Sequence, residues 1–335
     1  HYTPTSLSNF VAEQIEEVLR SLPSREEISV LDPAVGDGEL WLSMAKALIL
    51  GGYKPSQLRM VAFEKDIHAL QKAKRRLMTS FPEAVCDCQE ADFLEYALSK
   101  PVDGELDLFN TSSKPKQFDV IIANPPYVRT QVMGASEAQR LARQFQLNGR
   151  VDLYHAFILA MSRVLSPNGV MGIIVSNRFL TTKGGASVRN HILQIFDILH
   201  IWDLGDTRLF EAAVLPAVLL LRRRQMDHHE PVFTSIYSSS ESDNSFPERA
   251  KVVDCLKLEG NVRIRGGGTY CVSQGRLDVS PTTGIWRLAN DTTDSWLDRV
   301  ESHTWRTFGD IGKIRVGVKT TADEVFIRSD WDTVY

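Results

Sequence analysis

The chain has 335 residues, 43% of them hydrophobic, and a formal net charge of −4. That is apolar material for one large core and length for about two domains; the slightly acidic balance argues against a histone-like coat for DNA but leaves room for a locally basic binding face. No run of eighteen apolar residues offers a membrane span, HYTPTSLSNF lacks the basic and apolar segments of a secretory signal, and the four cysteines show neither zinc-site spacing nor a secreted disulfide framework, which suits free thiols in a reducing cytoplasm.

The chain starts at His1 without a Met and reads as a piece of a longer protein. Phe10, Val11, Ile15, Val18 and Leu19 recur at helical spacing. A strand is predicted at Ile28 to Leu31, then a glycine turn, then a helix through Trp41, Met44 and Leu48. Met60 to Phe63 is a second buried strand, followed by a helix from Ile67 to Leu77. Further strands are expected at Ala84 to Cys88, Phe118 to Ala123, Val170 to Val175, Ile198 to Trp202 and Val214 to Leu221, with helices at Leu153 to Leu165 and Ala186 to Ile195. Continuously apolar strands alternating with helices indicate a doubly wound α/β fold, a mostly parallel sheet covered on both faces. The last strand, lacking a long helix before it, is the expected antiparallel partner of Ile198 to Trp202. Residues 1–228 are therefore one expected domain and 229–303 a connector, with a polar loop at Ser238 to Pro247 and a turn at Gly266 to Gly268; 304–335 open a further domain.

Leu31-Asp32-Pro33-Ala34-Val35-Gly36-Asp37-Gly38 leaves a strand and enters a helix, the context of a nucleotide-type loop. Gly36 and Gly38 permit positive φ and close approach to a ligand. The third glycine of a dinucleotide fingerprint is missing, and an acid between the glycines is a poor cradle for pyrophosphate. Such a loop suits a cofactor carrying an ammonium or sulfonium cation, although alone it is also compatible with a plain tight turn. Glu64 ends the second strand, where a carboxylate can accept both hydroxyls of a ribose. Asp92 follows the third and can accept from an adenine amino group, with Phe93 against the ring. Individually each reads as a surface carboxylate, but successive carboxyl ends of adjacent strands are where open α/β sheets bind ligands.

The strand Phe118 to Ala123 runs into Asn124-Pro125-Pro126-Tyr127. Two prolines forbid helix, remove two donors and leave the carbonyl between them rigid and outward. An exocyclic amine on an aromatic base is a weak nucleophile because its lone pair is delocalised. The Asn124 amide oxygen and the Pro125 carbonyl can accept both amino hydrogens and favour a tetrahedral nitrogen with its lone pair free. Tyr127 supplies a face for an extruded base, worth about 1–3 kcal/mol.

These landmarks, in this order, resemble the gamma class of N6-adenine DNA methyltransferases of restriction–modification systems. Tyr2-Thr3-Pro4 resembles that family's N-terminal cofactor motif, and Arg208-Leu209-Phe210 the later segment whose aromatic residue packs on the flipped adenine. The resemblance spans about residues 1–225 and implies a seven-stranded, Rossmann-like class I methyltransferase sheet with a C-terminal extension. It implies S-adenosylmethionine as cofactor, S-adenosylhomocysteine as product and double-stranded DNA as partner. Thr3, Pro4, Asp32, Pro33, Ala34, Gly36, Gly38, Glu64, Lys65, Asp92, Phe93 and Asn124 are then expected to hold the cofactor. Asn124, Pro125, Pro126, Tyr127 and Phe210 are expected to hold the base. A cognate restriction endonuclease and a bacterial or archaeal cytoplasm follow from the same resemblance. Phe308 to Ile311 and Val316 to Lys319 resemble the start of a DNA-recognition domain.

Other features carry less. The basic clusters at Gln71 to Arg76 and Arg222 to Arg224 read better as a solvated helix face and a sheet end than as phosphate contacts. The histidines make no metal-ligand spacing, so no metal site is expected. Thr130 to Arg150 is either a flap that orders on DNA or an ordinary surface helix. Three rivals share part of the pattern: a glutamine-N5 methyltransferase acting on a translation factor, an RNA base methyltransferase, and a catalytically silent DNA-binding subunit.

Overall fold

The computed structural model describes residues 3–98, 117–127, 134–145, 147, 152–207, 209, 215–225, 230–241, 243, 245–279, 285–289 and 291–312. Strands β1 (Ile28–Asp32), β2 (Leu58–Glu64), β3 (Val85–Glu90), β4 (Phe118–Ala123), β5 (Leu165–Ser176), β6 (Phe196–Asp203) and β7 (Pro216–Arg223) lie in the order β3-β2-β1-β4-β5-β7-β6. β1 pairs in parallel with β2 on one side and β4 on the other. The strand order thus reverses between β1 and β4, which opens a crevice at their carboxyl ends. β7 runs antiparallel to β6, as expected, and also to β5, between which it inserts.

The unbroken apolar runs are explained by burial on both faces. In β4, Val120 and Ile122 enter one core cluster while Phe118, Ile121 and Ala123 enter the other; in β7, Val218 and Leu220 face the first, and Ala217, Leu219 and Leu221 the second. Helices α1 (Thr5–Arg20), α2 (Glu39–Leu50) and α3 (Ile67–Ser80) contribute Val11, Ile15, Trp41, Leu48 and Leu77 to the first cluster. Helices α4 (Phe93–Leu98), α5 (Ala135–Gln144), α6 (Leu153–Val164), α7 (Arg178–Thr181) and α8 (Ala186–Ile195) contribute to the second. Within 130–150, α5 is a surface helix: Ala138 and Leu141 are buried, and Arg140 pairs with Glu137 and Glu95 at 2.7 Å each. The rest of that stretch, apart from Gly134, Phe145 and Leu147, lies outside the described residues.

The sheet does not stop at the seven expected strands. β8 (Val232–Ser239) adds in parallel to β6, and β9 (Glu248–Arg249), β10 (Gly260–Ile264), β11 (Thr269–Asp278) and β12 (Arg287–Ala289) follow, giving twelve strands among the described residues. The stretch read as a connector from 229 therefore continues the same sheet, and the first of two units runs His1–Ala289. These strands alternate half-polar with buried positions, Ile236, Val262 and Val272 facing the first cluster. A search for long apolar runs passes over such alternation. The predicted glycine turn is present, with Gly267 N donating to Ile264 O at 2.9 Å. The second unit, Asn290–Tyr335, carries α9 (Asp291–His303) and α10 (Phe308–Ile311), the latter opened by Thr307 N and Oγ1 donating to Asp310 Oδ2, both at 2.8 Å. Val316 to Lys319, expected to belong to a DNA-recognition domain, lies outside the described residues.

Gly172 shows how tightly α1 sits on the sheet. A Cβ there would stand 2.7 Å from Ile15 Cδ1 and 2.8 Å from Val11 Cγ1. Gly172→Val should destabilise the fold by about 1–3 kcal/mol through overpacking, read as a lower urea midpoint with an unchanged slope. An unchanged midpoint would show that α1 does not bear on β5.

Candidate active site

Four strands deliver the site. After β1 the chain turns back over the sheet edge, where Val35 N donates to Phe63 O at 3.0 Å and Gly36 N to Glu64 Oε2 at 3.0 Å. Gly36 has φ 51° and open space where a Cβ would be, so the loop leaves room beside it. Glu64 Oε1 accepts from Lys65 N at 2.8 Å and Asp66 N at 3.1 Å. Its carboxylate is thus fixed by backbone donors with lone pairs to spare. Asp92 Oδ1 accepts from Leu94 N at 2.8 Å, while Oδ2 pairs with Lys65 Nζ at 2.7 Å. Phe93 is buried between Phe63 and Phe157, at centroid distances of 5.4 and 6.0 Å.

β4 ends in the Asn-Pro-Pro-Tyr turn. Asn124 Nδ2 donates to Thr3 Oγ1 at 2.9 Å, which fixes the amide with its oxygen as acceptor. That oxygen, Oδ1, is buried and has no partner. Pro125 is buried and Pro126 exposed. The Tyr127 hydroxyl is also buried without a partner, and burial raises its pKa.

Pro33, Ala34, Gly36, Glu64, Lys65, Asp92, Phe93, Asn124, Pro125, Pro126 and Tyr127 come together around one cleft of about 520 Å³. The remaining expected residues have other places. Thr3 touches the cleft only through Asn124, and the Pro4 carbonyl accepts from Leu7 N and Ser8 N at the start of α1. Gly38, at φ 84°, lets α2 approach α3, since a Cβ would stand 2.8 Å from Ala73 Cβ. Phe210 lies outside the described residues. Asp37 differs from the expectation of an acid facing a cationic ligand. It turns to α3, 3.5 Å from both Lys72 Nζ and Arg76 Nη1, so the basic face of that helix neutralises it. Arg222 and Arg224 likewise meet Asp197, at 3.4 and 3.6 Å.

The sequence reading missed Asp66, Ala69, Leu94, Leu153 and Phe157, which also line the cleft. Leu153 and Phe157 are one helical turn apart on α6, and nothing in an apolar helical pattern separates a cleft wall from core. Asp66 was legible only as the N-cap of α3, where Oδ1 accepts from His68 N at 2.8 Å. Among the described residues no group of three or more His, Cys, Asp or Glu is gathered as a metal ion would need, and no helix is long and apolar enough to cross a membrane. Glu64, Asp66 and Asp92 outweigh Lys65, so the cleft favours a cationic ligand.

Asp32 lies beneath the loop, 1% exposed, with Oδ1 accepting from Ala34 N at 3.1 Å. Burial pushes its pKa up to about 7, the Ala34 N–H pulls it down, and the charge of Glu64 adds to the rise. A folded-state value above the ordinary 3.8 means that the protonated carboxyl favours the fold. That contribution, a few kcal/mol, is fully present below pH about 4 and is lost as pH rises through about 7. Asp32→Asn should remove this loss, so the melting temperature of the ligand-free variant should rise progressively relative to wild type from pH about 4 to about 7, with a steady difference above. Parallel melting curves across that range would show that Asp32 ionises without cost.

Comparison with known proteins bears on this geometry. The family model described as Eco57I restriction-modification methylase matches residues 38–210. The chain is 36% identical over 351 residues to the Type II methyltransferase M.BanIII of Aneurinibacillus aneurinilyticus, covering 99% of this chain and 58% of that one. It thus spans little more than half the length of that relative. A solved protein from Listeria monocytogenes, assigned to the class I S-adenosylmethionine-dependent methyltransferases, superposes with a TM-score of 0.53 at 20% identity, over 70% of this chain and 65% of that one. A nuclease-deletion mutant of the Type ISP restriction-modification enzyme LlaGI, solved with a DNA substrate mimic, gives 0.59 at 16% identity, over 88% and 32%. The fold is that of the class I methyltransferases, and the chain belongs to the Eco57I restriction-modification methylase family.

Proposed function

We propose that this chain is the catalytic part of a site-specific DNA methyltransferase that methylates N6 of an adenine flipped out of duplex DNA. The observation that carries the reading is the Asn124 amide oxygen, buried and unpartnered at the rim of an acid-lined cleft at the strand-order reversal. The cleft volume falls in the range of small-molecule sites. Gly36 leaves room at its wall, and its carboxylates suit a ligand with a cationic end and ribose hydroxyls, so the residues present fit S-adenosylmethionine. Glu64 would take the ribose, Asp92 and Phe93 the adenine ring, and the loop around Asp32 the ammonium end. When bound, that cofactor supplies an electrophilic methyl group on a sulfonium.

The chain's own work is to prepare the acceptor. A base-modifying enzyme takes its target out of the stack. Tyr127 would hold the extruded ring, together with Phe210, the aromatic residue that the family resemblance assigns to the base. Asn124 Oδ1 and the Pro125 carbonyl accept the two amino hydrogens, drawing the nitrogen toward a tetrahedral form. The hydrogen bond from Asn124 Nδ2 to Thr3 keeps the amide from flipping, which would present a donor to a donor. No strong base is needed, because the methylated ammonium sheds its proton readily. Residues 304–335 are read as the start of the target-recognition domain, with a restriction endonuclease as functional partner and a bacterial or archaeal cytoplasm as the place of action. Restriction–modification kinship favours DNA over RNA or a protein glutamine as substrate.

The test is methyl transfer from labelled S-adenosylmethionine to mixed-sequence duplex DNA by the complete protein, with nucleoside analysis. Label in N6-methyladenine is expected; label in cytosine, RNA or protein would replace the substrate. Asn124→Ala should lower turnover on the order of 10²-fold, the scale seen when one group stabilising developing charge is removed, with cofactor affinity retained. Tyr127→Phe should keep turnover within a few-fold because only the ring face is used, whereas Tyr127→Ala should forfeit about 1–3 kcal/mol of base stacking. If Phe and Ala at 127 behaved alike, the ring would not be holding a base.

A further inference from the structure

Resting on the reading of a nucleic-acid substrate, we infer that Arg178 grips the backbone phosphate of the target strand beside the extruded nucleotide. Register places it there. Ala123 of β4 pairs with Ile173 of β5, so Asn124 is one residue past the paired level, while β5 continues to Ser176 and the chain then carries Asn177 and Arg178. Adjacent strands lie about 4.8 Å apart. Arg178 therefore stands one strand from the catalytic turn and further out along the same edge, where a duplex laid across the cleft would pass.

The turn that carries it is braced. Asn177 N donates to Leu215 O at 2.9 Å, and Asn177 Nδ2 to Asp203 Oδ1 at 2.9 Å. Leu180 N donates to Asn177 O at 2.9 Å, and Thr182 N to Arg178 O at 3.0 Å. The nearby carboxylate of Asp203 is held by other donors, also accepting from Gly205 N at 3.1 Å and from Tyr237 Oη at 2.7 Å. Arg178 itself is exposed, and among the described residues it has no ion-pair partner. In this it differs from Lys65, Arg140 and Arg76, each held by an acid. The charge of Arg178 is felt by Tyr154, a residue buried at the start of α6 and within electrostatic reach of Tyr127. An acid-lined cleft in a chain of net charge −4 repels phosphate, so an exposed guanidinium on a braced turn one strand away, with no ion-pair partner among the described residues, is a group that a phosphate would meet.

The test uses the complete protein with Arg178→Ala and Arg178→Lys, measuring KM and kcat for duplex DNA over a series of salt concentrations, and cofactor affinity separately. Arg178→Ala should raise the KM for DNA about tenfold, the scale of one lost charge-assisted hydrogen bond. It should lower the slope of log affinity against log salt by about one. Turnover at saturating DNA and cofactor affinity should stay unchanged, and Arg178→Lys should restore part of the affinity and the full salt slope. An unchanged KM and slope in an alanine variant that still methylates DNA would overturn the assignment alone. A fall in kcat with KM intact would also overturn it, because it would make Arg178 a positioning residue for the chemistry. A wild-type protein that methylates only a protein substrate would overturn this inference together with the function on which it rests.

Discussion

A parallel sheet buried on both faces can expose chemistry only at its edges. In this chain helices cover the two faces of β1, β2, β4 and β5, and side chains alternate between two separate cores. Each strand is thereby held at a fixed height, and its carboxyl end becomes a rigid platform. Glu64, Asp92 and Asn124 come from segments far apart in sequence, yet they line one crevice, with Asp32 buried beneath its loop, because β1, β2, β3 and β4 are neighbours in the sheet. The site's precision is borrowed from the core. The same dependence makes Gly172, remote from the crevice, part of what holds α1 and with it Thr3 and Asn124.

The site keeps its polar groups in unequal states of satisfaction. Glu64 is tied by three backbone donors and Asp92 by one donor and one lysine. Asp32 lies dry with a single N–H, and Asn124 Oδ1 and Tyr127 Oη have nothing. Buried polar atoms without partners are costly and uncommon in folded proteins. Two such atoms, Asn124 Oδ1 and Tyr127 Oη, belong to residues that line the cleft.

Much of this was legible in the residues. Continuous apolar runs revealed the parallel core, and β7 declared itself an antiparallel partner of β6 by lacking a long helix before it, although its pairing with β5 as well was not legible there. Glycine turns and strand-end acids located the crevice, eleven of whose expected residues line it together. Three kinds of information were not legible. Asp37 sits in the loop like a ligand-facing acid, and only the packing of α3 shows it paired with Lys72 and Arg76. Gly38 reads as ligand clearance, yet its missing Cβ makes way for Ala73. The strands from β8 onward are half polar, so they resemble connecting segments until their partners are known. In each case the deciding contact is tertiary, beyond the reach of local pattern.

The added strands also change where the sheet ends. With β6 as its border, the sheet would present eight residues of unpaired backbone flanked by Ile198, Ile201 and Trp202, a template for joining another chain edge to edge. Growth through β8 to β11 moves that border to β9, a Glu-Arg pair only two residues long, while the opposite border is β3, whose Val85-Cys86-Asp87-Cys88-Gln89-Glu90 is largely polar. Among the described residues both borders are thus short or charged, the kind of edge that discourages edge-to-edge pairing with another chain.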